Sequence, residues 1–320
     1  MTQFGYKLMS EEHPPKALIG NACLAEDNGF DFVAISDHFH PWLDEQGHAS
    51  FIWSVLGAIA VATERVGIMT AVTCPFLRYH PAIIAQAAAT ISIMADGRFT
   101  LGLGTGEALN ERVVGLGWPH IDERQQMLRE SLGIIRALWS GEKVSFRGEY
   151  LTVEAARLYD APDPVPHVAV AAGGPQSAEL AAESNAALVA TEARPELTEA
   201  YGEAGGVGPR YAELGVCWAE DSALALHTIY DRFRWSGLGW NVLPELAQPA
   251  AFRDATAALK PEQFRDAMPN GPELQPYLDA IEKYRQAGFD RLILTQVGPD
   301  QAGFLQFWER ELGPAVRRLE

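Results

Sequence analysis

The residues of this chain that could do chemistry gather where short apolar runs end. Ser36-Asp37-His38-Phe39-His40-Pro41-Trp42 follows Asp31-Phe32-Val33-Ala34-Ile35, a run with the composition of a buried strand. An acid, two imidazoles and an indole therefore stand at the C-terminal end of a strand. In a barrel of alternating strands and helices, that end carries catalysis. A polar loop with a helix N-cap would account for Ser36 or Asp37, but not for two histidines, a proline and a tryptophan crowded together. An imidazole titrates near neutrality and can take a hydroxyl proton, and an indole can exclude water from the reacting carbon.

Three further strand ends carry candidate site residues. Gly102-Leu103-Gly104-Thr105-Gly106-Glu107 fails as a dinucleotide fingerprint, because the third glycine of G-x-G-x-x-G would fall on Glu107. No G-K-[ST] is present, which excludes a Walker A loop. What remains is a run of small residues that lets a flat ligand approach the backbone and then presents a carboxylate. A tight turn would explain the glycines equally well; Glu107 favours a site. Ala171-Ala172-Gly173-Gly174-Pro175-Gln176-Ser177 opens a helix, where free amides and the helix dipole attract phosphate. A simple proline-started helix is the plain alternative. Thr70-Ala71-Val72-Thr73-Cys74-Pro75 ends another strand and reads, by itself, as a barrel strand running into a turn. His38-x-His40 has a spacing that can ligate zinc. A zinc pair of that kind belongs on the first strand, with further histidines at later strand ends. Here it follows the second strand, His167 lies at the start of the fifth, and none follows the sixth, so no metal is expected.

The elements that must position these residues alternate. Strands are predicted over Phe4–Met9, Asp31–Ile35, Gly67–Val72, Arg98–Leu103, His167–Ala171, Ala187–Ala190, Tyr211–Trp218 and Asp290–Gln296. Helices are predicted over Lys16–Asn28, Phe51–Glu64, from after Pro81 to Met94, Ile121–Ser140, Pro175–Ser184, most of 221–285, and Gly303–Leu319. The Ile121–Ser140 helix carries Leu128, Leu132, Ile135 and Leu138 at helical spacing and is closed by Gly141. Residues 142–166 form an insertion with a short hairpin over Val144–Tyr150. Eight strands with helices between them make a single (β/α)8 domain over residues 1–320; the open doubly wound sheet fits the regular rhythm less well.

A formal charge of −17 argues against a nucleic-acid partner, which would require an excess of Lys and Arg. The three cysteines, Cys23, Cys74 and Cys217, are widely spaced and odd in number, as expected of free thiols in a reducing cytoplasm. The N-terminal Met-Thr-Gln-Phe-Gly-Tyr lacks the basic and apolar regions of a signal peptide. No apolar run is long enough to cross a bilayer.

Taken together, Ser36-Asp37-His38-Phe39-His40-Pro41-Trp42, Arg78-Tyr79-His80-Pro81, Gly104-Thr105-Gly106-Glu107-Ala108-Leu109-Asn110-Glu111 and Gly173-Gly174-Pro175 resemble the luciferase-like superfamily of TIM barrels. Within it they resemble the coenzyme F420-dependent oxidoreductases related to F420-dependent glucose-6-phosphate dehydrogenase. The resemblance spans nearly the whole chain. It implies F420 at the C-terminal mouth of the barrel, a small-molecule substrate and a homodimer; FMN is the alternative cofactor, in a luciferase-like monooxygenase. It also implies that Asp37 contacts the deazaflavin, that His38, Trp42 and Glu107 are catalytic, and that Glu11 is a further acid near the substrate. The Ala71–Val72 peptide matches the family's non-prolyl cis bond behind the ring. Thr73, Gly106, Asn110 and the turn Ala172-Gly173-Gly174-Pro175-Gln176 would hold the ring edge and phosphate tail. A 5-deazaflavin accepts a hydride at C5; His38 would take the substrate's hydroxyl proton, and a protonated Glu107 would offset charge on the reduced ring if burial raises its pKa.

One departure bears on the substrate. The glucose-6-phosphate enzymes hold the phosphate with lysines and an arginine in the later part of the chain. After Lys143 this sequence has only Lys260 and Lys283, and Thr191–Glu196 contains no lysine. Arg253 and Ala267 fall near the positions of the other expected cations. Phe233, Trp235, Trp240 and Val242 stand in their place, with Trp235 expected against an apolar alcohol or carbonyl substrate.

Overall fold

The computed structural model describes residues 2–318. Ten strands run in chain order: β1 Gln3–Leu8, β2 Phe32–Ile35, β3 Gly67–Thr70, β4 Phe99–Leu103, β5 Val144–Arg147, β6 Thr152–Ala156, β7 His167–Ala171, β8 Ala187–Ala190, β9 Arg210–Val216 and β10 Arg291–Gln296. Eight of them, β1–β4 and β7–β10, close into a parallel barrel. The (β/α)8 expectation holds. β5 and β6 form a separate antiparallel pair. This is the expected hairpin, but its second strand lies at Thr152–Ala156 rather than within Val144–Tyr150. The intervening turn is held by Glu130, whose carboxylate accepts the N–H groups of Glu149 at 2.7 Å and Leu151 at 2.9 Å.

The helices are α1 Pro15–Asp27, α2 Ile52–Ala62, α3 Pro81–Met94, α4 Ala108–Glu111, α5 Ile121–Trp139, α6 Pro175–Glu183, α7 Pro195–Glu203, α8 Ser222–Phe233, α9 Pro249–Ala255, α10 Leu274–Gln286, α11 Gln301–Phe307 and α12 Gly313–Arg318. Sequence reading missed α7, where Pro195 occupies the first helical position and Leu197, Thr198 and Tyr201 are buried. The closing helix is not continuous. A π turn over Trp308–Leu312 separates α11 from α12, just before Pro314, which has no N–H to donate to a regular helical ladder. The predicted final residue, Leu319, lies outside the described residues.

Both faces of the barrel strands are buried, so they read as apolar runs, yet their residues still alternate by period two. Phe4, Tyr6, Leu8, Val33, Ile35, Val168 and Val170 face outward into the main core beneath the helices. Phe32, Ala34, Met69, Ala169, Val189 and Ile293 pack together in a second cluster inside the barrel. Phe32 meets Tyr211 edge-on at 5.5 Å at the N-terminal end of the strands. Gly5 makes room there, since a Cβ would lie 2.2 Å from the Phe32 ring. Above this plug the inward positions are small or polar, which leaves the C-terminal half of the barrel hollow.

Candidate active site

A cavity of 880 Å³ opens at the C-terminal mouth. Lys7, inward-facing on β1 and buried, lies at its wall. Its Nζ donates to the Ala71 carbonyl at 2.7 Å and to Glu213 Oε1 of β9 at 2.5 Å. Sequence reading missed this pair, although one lysine inside Phe-Gly-Tyr-Lys-Leu-Met was a visible signal. The Ala71–Val72 peptide is cis. Next to it the β3–β4 ladder is completed by a side chain: the Thr70 hydroxyl donates to the Gly102 carbonyl at 2.8 Å and accepts the Gly102 N–H at 2.9 Å.

The loop after β2 carries the acid–base groups. The Nδ1 of His38 lies 3.1 Å from the His40 carbonyl and its Nε2 lies 3.4 Å from Glu11 Oε1. A carbonyl can only accept, so Nδ1 carries the proton in the neutral ring and Nε2 is the nitrogen free to gain one. Glu11 is buried and its other oxygen accepts the Ser36 hydroxyl at 2.5 Å. Burial pushes the Glu11 carboxyl up, but His38, the Ser36 hydrogen bond and Lys7 outweigh it, and its pKa lies below the ordinary carboxylate value. His40 turns away: its Nδ1 lies 2.9 Å from the Leu109 carbonyl. Among the described residues, no three His, Cys, Asp or Glu side chains are grouped to share a metal ion.

Asp37 lines the cavity, but its carboxylate is already held by Thr73 Oγ1 at 2.8 Å, Arg78 Nη2 at 2.9 Å and the Tyr79 hydroxyl at 3.3 Å. Asn110 accepts the N–H of Phe39 at 2.9 Å and donates through Nδ2 to Glu107 Oε2 at 3.0 Å. Of the candidate residues drawn from the sequence, Thr73 and Asn110 stand back from the cavity wall. They brace Asp37, the His38 loop and Glu107 from behind rather than facing the cavity. The carboxyl that burial raises to about 7, against the pull of Arg78, belongs to Glu111, one helical turn beyond Glu107. It too lines the cavity.

One side of the mouth is aromatic. Trp42 stacks on Trp235 at 4.3 Å and 12°, Phe252 meets Trp42 edge-on at 5.2 Å, and Phe233 lies 4.4 Å from Trp235. Trp240 and Leu243 complete this wall, whereas Val242 does not reach it. The other side is the turn into α6. At Gly173 and Gly174 a Cβ would meet nothing within 4 Å, so the backbone faces open space. Gln125 Nε2 donates to Ser177 Oγ at 3.2 Å, tying the start of α5 to the start of α6. Arg124 completes this corner and lies over the Trp118 ring at 3.8 Å. Among the described residues, no arginine or lysine later in the chain than Arg124 lines the cavity; Arg253 is exposed and bonded to Asp254 at 3.1 Å.

A closed (β/α)8 barrel with an acid–base cluster, an aromatic wall and a glycine turn at one mouth defines an enzyme of the barrel oxidoreductase type. The family model described as luciferase-like monooxygenase matches residues 1–291, and the chain belongs to that family. It is 36% identical to the F420-dependent glucose-6-phosphate dehydrogenase of Rhodococcus erythropolis over 99% of this chain and 98% of that one. It is 37% identical to the enzyme of the same description from Segniliparus rotundus, with the same coverage. Among solved structures, an F420-dependent secondary alcohol dehydrogenase in complex with an F420–acetone adduct superposes with a TM-score of 0.91, at 29% identity and covering 99% of each chain. The coenzyme F420-dependent tetrahydromethanopterin reductase of Methanopyrus kandleri, with a TM-score of 0.75 at 20% identity over 98% of this chain and 99% of that one, shares the fold.

Proposed function

We propose that this chain is an F420-dependent oxidoreductase that moves a hydride between the deazaflavin and an apolar alcohol or its carbonyl, and that glucose 6-phosphate is a poor substrate. The aromatic wall carries the substrate reading. Trp42, Trp235, Phe233, Trp240 and Leu243 line the cavity, and among the described residues the later half of the chain contributes no cation to it. A phosphate there would lose charge-assisted hydrogen bonds worth roughly 1.5–3 kcal/mol each. The names of the curated relatives point to glucose 6-phosphate, and that of the superposed alcohol dehydrogenase to a small alcohol; the absent cations favour the second.

The cofactor fits the cavity wall. Gly173 and Gly174 leave open backbone toward it, and two nitrogens of Arg124, Nε and Nη1, have no partner. When bound, F420 supplies a hydride acceptor at C5. His38 takes the substrate hydroxyl proton at Nε2, and the Glu11 carboxylate, 3.4 Å from that nitrogen, stabilises the imidazolium that forms. Trp42 and Trp235 hold the carbon skeleton and exclude water. Glu107, fixed by Asn110, presents its carboxyl to the same space, with Glu111 beside it.

Two secondary features go with this reading. The α2 and α3 helices leave Val61, Ile83 and Ile93 exposed, an apolar face on which we place a homodimer contact, testable by sedimentation. The three cysteines are free, in keeping with a reducing cytoplasm, and among the described residues no helix is long and apolar enough to cross a membrane.

The deciding experiment has two parts. Equilibrium titration should give F420 binding at micromolar Kd or tighter and much weaker FMN binding; the reverse order would make the chain an FMN enzyme. Steady-state assays with F420 should then give saturable oxidation of secondary alcohols, with kcat/KM rising along an alkyl series. Efficient, saturable turnover of glucose 6-phosphate would overturn the substrate assignment.

A further inference from the structure

Glu213, Lys7, Glu11 and His38 all line the cavity and make two close pairs. Lys7 Nζ lies 2.5 Å from Glu213 Oε1, and Glu11 Oε1 lies 3.4 Å from His38 Nε2. The second pair belongs to the proton step. Stability alone does not account for the first, because a buried ion pair holds a fold together little better than apolar side chains of the same volume. A lysine side chain only 6% exposed therefore points to a use for its charge.

That charge is fixed in place. Lys7 extends inward from β1, and its Nζ is tied to β9 through Glu213 and to β3 through the Ala71 carbonyl at 2.7 Å. Glu11 follows in the turn after β1, which is fastened to the end of β2. Ser10 Oγ donates to the Ser36 carbonyl at 2.8 Å, and Ser36 Oγ donates to Glu11 Oε2 at 2.5 Å. The Glu11 carbonyl accepts the His48 N–H at 3.1 Å. Charges held in this way act on a reacting centre without reorganising. The two ends of the ion pair are unequal. Lys7 is 6% exposed and Glu213 20%, so solvent screens the anion more than the cation. Burial pushes the Glu11 carboxyl up, and His38, the Ser36 hydroxyl and Lys7 together hold it below the ordinary carboxylate value. The other charged or titratable groups around the turn are Glu12, His13, His48 and, from α8, Arg232. Tyr284 of α10 faces Glu213.

We propose that Lys7 is a positioning residue of the proton-transfer site: its ammonium, anchored by Glu213 and Ala71, sets the charge felt by the Glu11–His38 pair. This rests on the oxidoreductase reading above for the identity of the reaction. The active form of the pair is an ionised Glu11 beside a neutral ring. A proton on either member adds one positive charge, which Lys7 opposes and Glu213 favours. Lys7 thereby extends the active form toward lower pH, and Glu213 limits the extension.

The test is a pH titration of the full-length protein with two readouts. One is the His38 ring, followed by NMR without cofactor and assigned by its absence in His38→Ala. The other is the acid limb of kcat/KM for F420-linked oxidation of a secondary alcohol. Lys7→Met removes the cation at similar length, and Glu213→Gln removes the anion while keeping an acceptor for Lys7. In both readouts Lys7→Met should move the midpoint up by about half to one pH unit, and Glu213→Gln should move it down. The double variant should return close to the wild type. A merely structural role would not give opposite signs, and the double variant would then be the most impaired. Shifts in the same direction, or no shift, overturn the proposal. If Lys7→Met folds poorly, Glu213→Gln decides alone, since only a downward shift supports the proposal. Burial raises Glu12, in the same turn, to about 7, so each variant is repeated with Glu12→Gln. Shifts that vanish there belong to Glu12 and overturn the proposal too. Should the ring titrate as expected while the protein neither binds F420 nor oxidises alcohols, the charge assignment stands and the F420 reading falls.

Discussion

His38 has one ring nitrogen engaged by a backbone carbonyl and one facing an ionised, buried acid. That division of labour is what a proton acceptor requires, and it predicts a specific loss. His38→Ala and Glu107→Gln should each lower turnover by roughly 10²–10⁴ while F420 affinity stays within a few-fold. Rapid-mixing assays with an alkyl alcohol measure the first and equilibrium titration the second. Normal turnover in both variants would mean the roles lie elsewhere. A different acid controls pH stability. Glu12 is buried, with Oε2 accepting the Gly298 N–H at 2.9 Å and Oε1 unpaired. Burial, only partly opposed by the Gly298 hydrogen bond and Arg232, raises its pKa from 4.5 to about 7. The folded state therefore holds this proton more tightly than the unfolded chain. The stability it contributes is full below about pH 4.5 and lost as pH rises through about 7, a loss of roughly 2–4 kcal/mol by linkage. Urea titrations at pH 5 and pH 8 should show that loss in the wild type and a shallower one in Glu12→Gln; equal slopes would exclude Glu12 as its source. His38, Trp42 and Glu107 were legible because they stand in short motifs at strand ends. Lys7, Glu111 and Arg124 were not, because what marks them is a missing or distant partner. Lys7 and Glu213 are 206 residues apart in the chain.

Elements were legible where burial is two-sided and continuous. β7 and β8 have the predicted bounds, and the other barrel strands shift at their ends by a residue or two. β3 ends at Thr70 rather than Val72, because the Thr70 hydroxyl, and not the next peptide, pairs with Gly102. That junction predicts a sharp intolerance. A Cβ at Gly102 would lie 1.9 Å from the Thr70 carbonyl oxygen, so Gly102→Ala must push β3 and β4 apart. The cost should reach or exceed the roughly 1–3 kcal/mol usual for overpacking, read as a lowered denaturation midpoint. Gly174→Ala, where a Cβ meets nothing, should leave that midpoint unchanged. A Gly102→Ala protein as stable as wild type would show that the two strands separate freely. The aromatic wall was legible only in part. Phe233, Trp235 and Trp240 were read from the sequence, but Leu243 replaces Val242, because two short 3-10 turns, Arg234–Gly237 and Leu243–Glu245, flank an irregular stretch without a period that tells inward from outward.

Over the whole molecule, barrel closure brings groups from residue 7 to residue 295 around one cavity, which no single stretch of sequence could announce. The charge balance has the opposite character: −17 is legible at once, and its effect is felt only at a distance. The protein and the anionic tail of F420 carry like sign, and two cationic side chains, Lys7 and Arg124, line the mouth. Encounter should therefore be retarded at low salt, and screening should relieve it. Between about 0.01 M and 0.15 M ionic strength the Debye length falls from about 30 Å to about 8 Å. Stopped-flow association rates for F420 should rise several-fold over that range, while dissociation, set by short contacts inside the cavity, changes little. An association rate that falls with salt would mean that the mouth's own field outweighs that of the surface around it. If the rate rises, this enzyme captures its cofactor faster in a salty medium than in a dilute one, a kinetic preference imposed by an acidic exterior surrounding a nearly cation-free entrance.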